Sequence, residues 1–177
     1  VRSDARLHGM ERAATQDIRA GMPAKPAEDR SAPEDVPGGP MPPRVLLAED
    51  NRDMREIFAR QLSLMGLEVV GVGNGRHAAD IGLAALRAGN PFDMILMDLE
   101  MPLVDGYEAT RQLREGGYAG PILALSAHST DEHLQDCLLV GCNDCLSKPI
   151  PWDHLALLVR KYLPHHPPPA LTLTPVG

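Results

Sequence analysis

Five times along this chain a short apolar run gives way to apolar residues at helical spacing, and that alternation constrains the fold more than any other feature. Residues 44–50 (Arg-Val-Leu-Leu-Ala-Glu-Asp) form a run ending in acids; Met54, Ile57, Phe58, Leu62 and Met65 then recur at helical intervals until Gly66 closes the pattern. Residues 67–72 are a β-branched run and 75–88 an alanine-rich helical stretch; residues 92–98 form a run ending in Asp98, followed by helical spacing over 107–115. The run 121–126 precedes a helical segment over 130–140, and the short run 144–147 precedes Leu155, Leu158, Val159 and Tyr162 at i, i+3, i+4 and i+7.

Near-continuous apolar runs imply strands buried on both faces, so their alternation with helices predicts a parallel sheet between two helical layers. Right-handed crossovers leave few arrangements, and five units of this length fit a flavodoxin-like (βα)5 three-layer sandwich of strand order 2-1-3-4-5. Residues 44–163 are therefore expected to form one domain. Of the 17 prolines, 12 lie outside that segment. Residues 1–43 read as a disordered proline-rich leader or linker in which only residues 10–20 have helical character, and residues 164–177 as a proline-rich disordered tail with solvated His165 and His166.

Within 44–163 there are 11 Lys/Arg against 17 Asp/Glu, a balance of −6, which argues against a grip on nucleic-acid backbones. No apolar run approaches the ~18–20 residues needed to cross a bilayer, and residues 1–6 carry no signal-peptide stretch, so a cytoplasmic location is expected. Cys137, Cys142 and Cys145 are an odd number without a fourth partner. They read as core or surface thiols of a reducing compartment, with no metal or disulfide role.

In sheets of this kind ligands bind beyond the carboxyl ends of the strands. The first strand delivers Glu49 and Asp50 to that rim, the third Asp98, the fourth Ser126 with Ala127, and the fifth Lys148 followed by Pro149. Three carboxylates crowded together are tolerable when a cation joins them, and oxygen ligands with positions left for water and phosphate suit magnesium. An aspartate in such a place can attack phosphorus and form an acyl phosphate. Asp98 is the candidate nucleophile because it ends the most hydrophobic strand. Lys148 would pair with a phosphoryl oxygen, while the Ser126 hydroxyl and the Ala127 N–H would donate to the others.

The segments Val-Leu-Leu-Ala-Glu49-Asp50-Asn, Met-Asp98-Leu-Glu-Met-Pro102-Leu-Val-Asp105-Gly106-Tyr-Glu-Ala-Thr, Ala-Leu-Ser126-Ala127 and Cys-Leu-Ser-Lys148-Pro149-Ile closely resemble the signatures of two-component response regulator receiver domains, in order and at similar separations. Their wording is most similar to receivers of hybrid sensor histidine kinases, although a free-standing regulator with a disordered leader would look much the same. A first residue of Val and the proline-rich leader fit a receiver cut from the carboxyl end of such a kinase. The resemblance implies that Asp98 is the phosphoacceptor, that Asp50 and Asp98 ligate Mg2+ directly, that Glu49 helps through water, and that the Glu100 carbonyl completes the set. It places Ser126 and Lys148 at the phosphate-sensing positions, with Pro102 shaping the loop before the Asp105-Gly106 turn.

It also implies a phosphohistidine donor on a histidine kinase or histidine phosphotransfer domain, and a domain that catalyses its own phosphorylation and dephosphorylation without being a turnover enzyme. The response would travel through protein contacts, with a downstream protein or by self-association through the fourth and fifth helices, and not through nucleic acid or membrane. Cys145 departs from the pattern: receivers commonly carry there an aromatic ring that moves with the hydroxyl residue, so a smaller or differently routed switch is expected.

Three other readings compete. Gly71-Val-Gly73-Asn-Gly75 mimics a dinucleotide fingerprint, but its third glycine comes one place early and the segment follows the second strand. An aspartate-nucleophile phosphatase would use Asp98 with Glu100 as general acid, yet the Met-Pro continuation fits the receiver loop. A non-phosphorylated receiver-like module would lack some of the acids or the lysine, all of which are present. Glu100 and His128 flank the mouth of the site, where they either tune water access or simply face solvent.

Overall fold

Alternate residues of the central strands are claimed by opposite faces of one sheet, and this sorting holds the domain together. The computed structural model describes residues 41–128 and 130–165, apart from the side chains of residues 131 and 132; the leader up to residue 40, including the helical stretch 10–20, and the tail from His166 lie outside them. The element order is β1 (Arg44–Ala48), α1 (Arg52–Leu64), β2 (Glu68–Val72), α2 (Gly75–Arg87), β3 (Met94–Asp98), α3 (Gly106–Glu115), β4 (Ile122–Ser126), α4 (Asp131–Leu139), β5 (Asp144–Ser147) and α5 (Trp152–Tyr162). All strand pairs are parallel, in the order β2-β1-β3-β4-β5, as the alternation predicts.

One face of the sheet presents Val45, Leu47, Met94, Leu96, Leu123, Leu125 and Leu146 to Phe58 and Leu62 of α1 and to Leu155, Leu158 and Val159 of α5. The other presents Leu46, Ala48, Ile95, Met97, Ile122 and Ala124 to Ala78 of α2, Ala109 and Leu113 of α3 and Cys137 of α4. Every residue of β3 and β4 is buried, which their unbroken apolar runs require. Phe58 meets Trp152 edge to face at 5.3 Å between ring centres, tying α1 to α5.

Helix starts follow from short polar residues. Asn51 accepts from the N–H groups of Asp53 and Met54, Asn74 from His77, Asp105 from Glu108 and Thr130 from His133, while α5 begins after Pro151 without a side-chain cap. Gly66, at φ 82°, turns the chain out of α1 into β2.

Two glycines pin the loop that follows β3. Gly106 donates to the Leu99 carbonyl at 3.1 Å, and a Cβ there would collide with the Asp98 carbonyl oxygen and stand 2.8 Å from Leu99 Cα. Gly75 donates to the Val104 carbonyl at 3.1 Å, and a Cβ there would strike the same oxygen. The obstructing atoms are backbone, so they cannot rotate away. Gly106→Ala is therefore expected to destabilise the domain by about 1–3 kcal/mol, the usual cost of overpacking. Urea denaturation should show a lowered midpoint with an unchanged slope.

Candidate functional site

Because the strands are parallel and their crossovers short, the residues that end β1, β3, β4 and β5 arrive on one rim. Glu49 leaves β1 with its N–H donating to the Val72 carbonyl at 3.1 Å, and Asp98 is the last residue of β3. Ser126 closes β4, and its carbonyl accepts from the Lys148 N–H at 2.7 Å just past β5. A cis peptide joins Lys148 to Pro149.

Glu49, Asp98 and Ser126 are 1%, 3% and 1% exposed, whereas Asp50 is open to solvent. One carboxylate oxygen from each of Glu49, Asp50 and Asp98 lies within 4.8 Å of the others. Lys148 Nζ donates to Glu49 Oε2 at 2.8 Å and to Asp98 Oδ2 at 2.7 Å. The second carboxylate oxygens are engaged by backbone: Asp98 Oδ1 accepts from the Glu100 N–H at 3.1 Å and Glu49 Oε1 from the Asn51 N–H at 3.3 Å. Ser126 Oγ accepts from the His128 N–H at 3.0 Å, which leaves its own proton to donate.

Burial raises the Glu49 carboxyl above the usual carboxylate range, against the lowering effect of Lys148 and with a further push from Asp98. Burial acts to lower the Lys148 ammonium, but its bonds to Asp98 and Glu49 outweigh it and the net direction is up. One ammonium cannot balance three carboxylates. The excess negative charge and the hard oxygen donors fit a divalent cation such as magnesium, and Glu49, Asp50 and Asp98 could hold it.

The rim residues singled out in the sequence all lie among the described residues. Ala127 follows Ser126 at the exposed mouth, and the Glu100 side chain reaches over to His128, Oε1 to Nδ1 at 2.9 Å. The His128 ring stacks on His133 of α4 at 4.6 Å, and His133 Nδ1 lies 3.3 Å from the Tyr107 hydroxyl of α3. Glu100 and His128 are thus bonded to each other across the mouth.

Cys145 Sγ lies 3.5 Å from Cys137 Sγ. Burial, then the neighbouring Cys137 thiol, push Cys145 up to about 12, and burial pushes Cys142 up to about 11. The Cys142 and Cys145 thiols therefore stay protonated at neutral pH, and Cys137 and Cys142 are buried. Leu103, 89% exposed at φ 72°, is the strained tip of the β3–α3 loop.

Two features escaped the sequence reading. Lys148 bridges both buried acids, and Arg55 Nη1 donates to the Glu49 carbonyl at 2.6 Å. The signal for Arg55 was Gly71-Val-Gly73, a pair of missing side chains beside β1 that a long side chain could fill.

Comparisons with known proteins agree with this fold. The family model described as response regulator receiver domain matches residues 45–160. The osmosensing histidine protein kinase SLN1 of Saccharomyces cerevisiae is 36% identical over 121 residues, 67% of this chain and 10% of the kinase. The two-component response regulator ORR41 of Oryza sativa subsp. japonica is 33% identical over 123 residues, 67% of this chain and 93% of that protein. Among solved structures, the receiver domain of sensor histidine kinase PA1611 from Pseudomonas aeruginosa PAO1, with a magnesium ion coordinated in its active site cleft, is similar at TM-score 0.62 and 32% identity, covering 70% of this chain and 98% of that one. The chain spans about a tenth of the length of the yeast kinase and nearly all of the rice regulator.

Removing the ammonium should expose the cost of the acid pair. Lys148→Met is expected to lose about 2–3 kcal/mol at neutral pH, less than breaking a fully buried pair costs, since the lysine keeps 25% of its side chain exposed. Without Lys148 the Glu49 carboxyl rises further, so the folded state takes up a proton that the unfolded chain does not hold. Its deficit therefore shrinks as pH falls through that raised value and is full above it. Urea denaturation of both proteins at about pH 5 and about pH 8 would read the difference.

Proposed function

Since the chain belongs to the response regulator receiver family, in which phosphoryl transfer to aspartate is the shared function, we propose that Asp98 is its phosphoacceptor and that Glu49, Asp50, Asp98 and the Glu100 carbonyl hold magnesium. The observation that carries this reading is the buried Asp98 carboxylate bonded to Lys148 at 2.7 Å beside two further acids. When bound, magnesium would neutralise phosphoryl oxygens and bring them to the rim.

The residues divide the remaining work. An Asp98 carboxylate oxygen attacks phosphorus; the N–P bond of a donor phosphohistidine breaks, and the imidazole leaves with the electron pair. Lys148 already lies on Asp98 and follows the charge onto a phosphoryl oxygen, releasing its hold on Glu49 in proportion. Ser126 and the Ala127 N–H donate to the remaining oxygens. Water later attacks phosphorus, freeing inorganic phosphate and the Asp98 carboxylate. No protein general base is required. The phosphatase reading is disfavoured because the Glu100 carboxylate, its general acid, is held by His128 at 2.9 Å.

The donor is a histidine kinase or a histidine phosphotransfer domain. Between the two parentages, the motif wording and the yeast kinase support a receiver of a hybrid histidine kinase. Among the described residues no helix is long and apolar enough to cross a membrane. A downstream protein or a second copy would meet α4 and α5, where Leu134, Leu138, Leu139 and Leu157 are exposed.

The switch bypasses Cys145. Glu100 and His128 contact Asp98 and Ser126 through their N–H groups, and their side chains lead through His133 to Tyr107, so movement of Ser126 toward a phosphoryl group pulls on α4 by this route.

Incubation with acetyl phosphate and magnesium should add one hydroxylamine-sensitive phosphoryl group by intact mass. Asp98→Asn or omission of magnesium should abolish it; a wild-type protein that gains none refutes the assignment, and many turnovers of a small phosphoester would favour the phosphatase. With beryllofluoride as phosphoryl mimic, amide exchange in α4 and α5 should change, and His128→Ala should blunt that change while leaving phosphorylation intact. Unchanged protection in the wild type at full occupancy of Asp98 would sink the switch.

A further inference from the structure

Gly71 lies on β2 and Gly73 just beyond it, two residues apart and so on the same side of the sheet. A Cβ on Gly71 would stand 3.2 Å from Arg55 Cδ and 3.3 Å from Cγ, and one on Gly73 would stand 3.4 Å from Arg55 Nη1. The half-buried Arg55 side chain therefore runs along a bed made by two absent side chains.

Its guanidinium ends on the acidic turn, where Nη1 donates to the Glu49 carbonyl at 2.6 Å and to the Asp50 carbonyl at 3.3 Å. Its own N–H donates to the Asn51 carbonyl at 2.9 Å, so one residue of α1 binds three successive carbonyls of the turn that carries two of the three acids. That turn is also fastened to β2 by the Glu49 N–H on Val72 and to Lys148 through the Glu49 carboxylate, whereas the Asp50 side chain within it is exposed.

We propose that Arg55 is a positioning residue of the magnesium site: seated on Gly71 and Gly73, it clamps the carbonyls of Glu49 and Asp50 so that their carboxylates stay opposite Asp98. This rests on the reading that these acids hold magnesium. Two effects of the guanidinium oppose each other, which makes the sign of its removal informative. As a nearby positive charge it repels the metal, so deleting it would tighten binding. As a clamp it fixes an exposed turn whose ordering the metal would otherwise have to impose, so deleting it weakens binding. The charge-assisted bond at 2.6 Å to a backbone acceptor makes the clamp the larger effect.

The test is magnesium titration by calorimetry on the full chain, without a phosphodonor. Arg55→Met keeps an apolar stem over the glycines and removes the donors; it is expected to weaken magnesium binding about tenfold, the worth of a charge-assisted hydrogen bond. Arg55→Lys, which retains the charge and one donor, should recover part of the loss. Gly71→Ala crowds the stem and should weaken binding about threefold beside Arg55, with that penalty vanishing beside Arg55→Ala, a coupling that a merely structural residue would not show. Magnesium bound by Arg55→Met as tightly as by wild type, or more tightly, overturns the inference. Asp50→Asn separates the two layers: if the wild type binds no magnesium, or Asp50→Asn binds it equally well, the metal reading falls and the clamp with it.

Discussion

A single ammonium group set between two buried carboxylates governs the carboxyl edge of this sheet. Neither Glu49 nor Asp98 has more than a trace of solvent access, and an isolated charge so placed would shift to its neutral form. Lys148 reconciles their charges with burial by bonding both at once. It does so incompletely, since Asp50 stands within the same cluster and keeps the site negative. The residual charge gives a divalent cation a reason to bind, and in the proposed reaction the lysine is already in place when a phosphoryl group adds its own charge. The same geometry serves the resting site and the proposed reaction.

Rigidity and adaptability are divided between the strand and the loops around it. Asp98 ends a strand whose five residues are all buried and whose side chains alternate into two separate clusters, so it cannot shift without disturbing both faces of a close-packed interior. The groups that answer to it are at the surface. Glu100 and His128 are more than half exposed, and Leu103 sits on a strained turn. A fixed carboxylate surrounded by more exposed partners suits the proposed phosphoacceptor, which must react identically each time yet report its state.

How much of this could be read from residues alone depends on the range of the interactions involved. The central strands were legible because burial on both faces forces an unbroken apolar run, as in Met94–Asp98 and Ile122–Ser126. The edge strand Glu68–Val72 was legible from its valines, which are the residues of it that are partly or fully buried. Rim residues could be assigned because a parallel sheet sends every strand end to the same side. The double role of Lys148, 99 residues from Glu49, and the reach of Arg55 back to its own turn depend on side-chain paths that periodicity does not encode. Gly71 and Gly73 carried the trace of Arg55 as an absence, legible only once the neighbour of β2 was known.

Cys145 is a small side chain at the position where the receiver resemblance leads one to expect a ring, and Tyr107 lies near it from another direction. Tyr107 of α3 packs against the same core cluster as Cys145, and burial, then the Cys137 thiol beside it, raises its phenol to about 12. It therefore remains a neutral hydrogen-bonding group next to His133 across the physiological range. Tyr107 is also the residue after Gly106, whose N–H is bonded to Leu99 and whose missing side chain lets it lie on the backbone of Asp98. The ring that contacts α4 thus stands in the first turn of α3, one residue beyond the glycine that lies on the Asp98 backbone. His133 of α4 is thus contacted from the α3 side by Tyr107 and from the β4 side by His128, so the proposed switch has a path to α4 that needs no aromatic on β5.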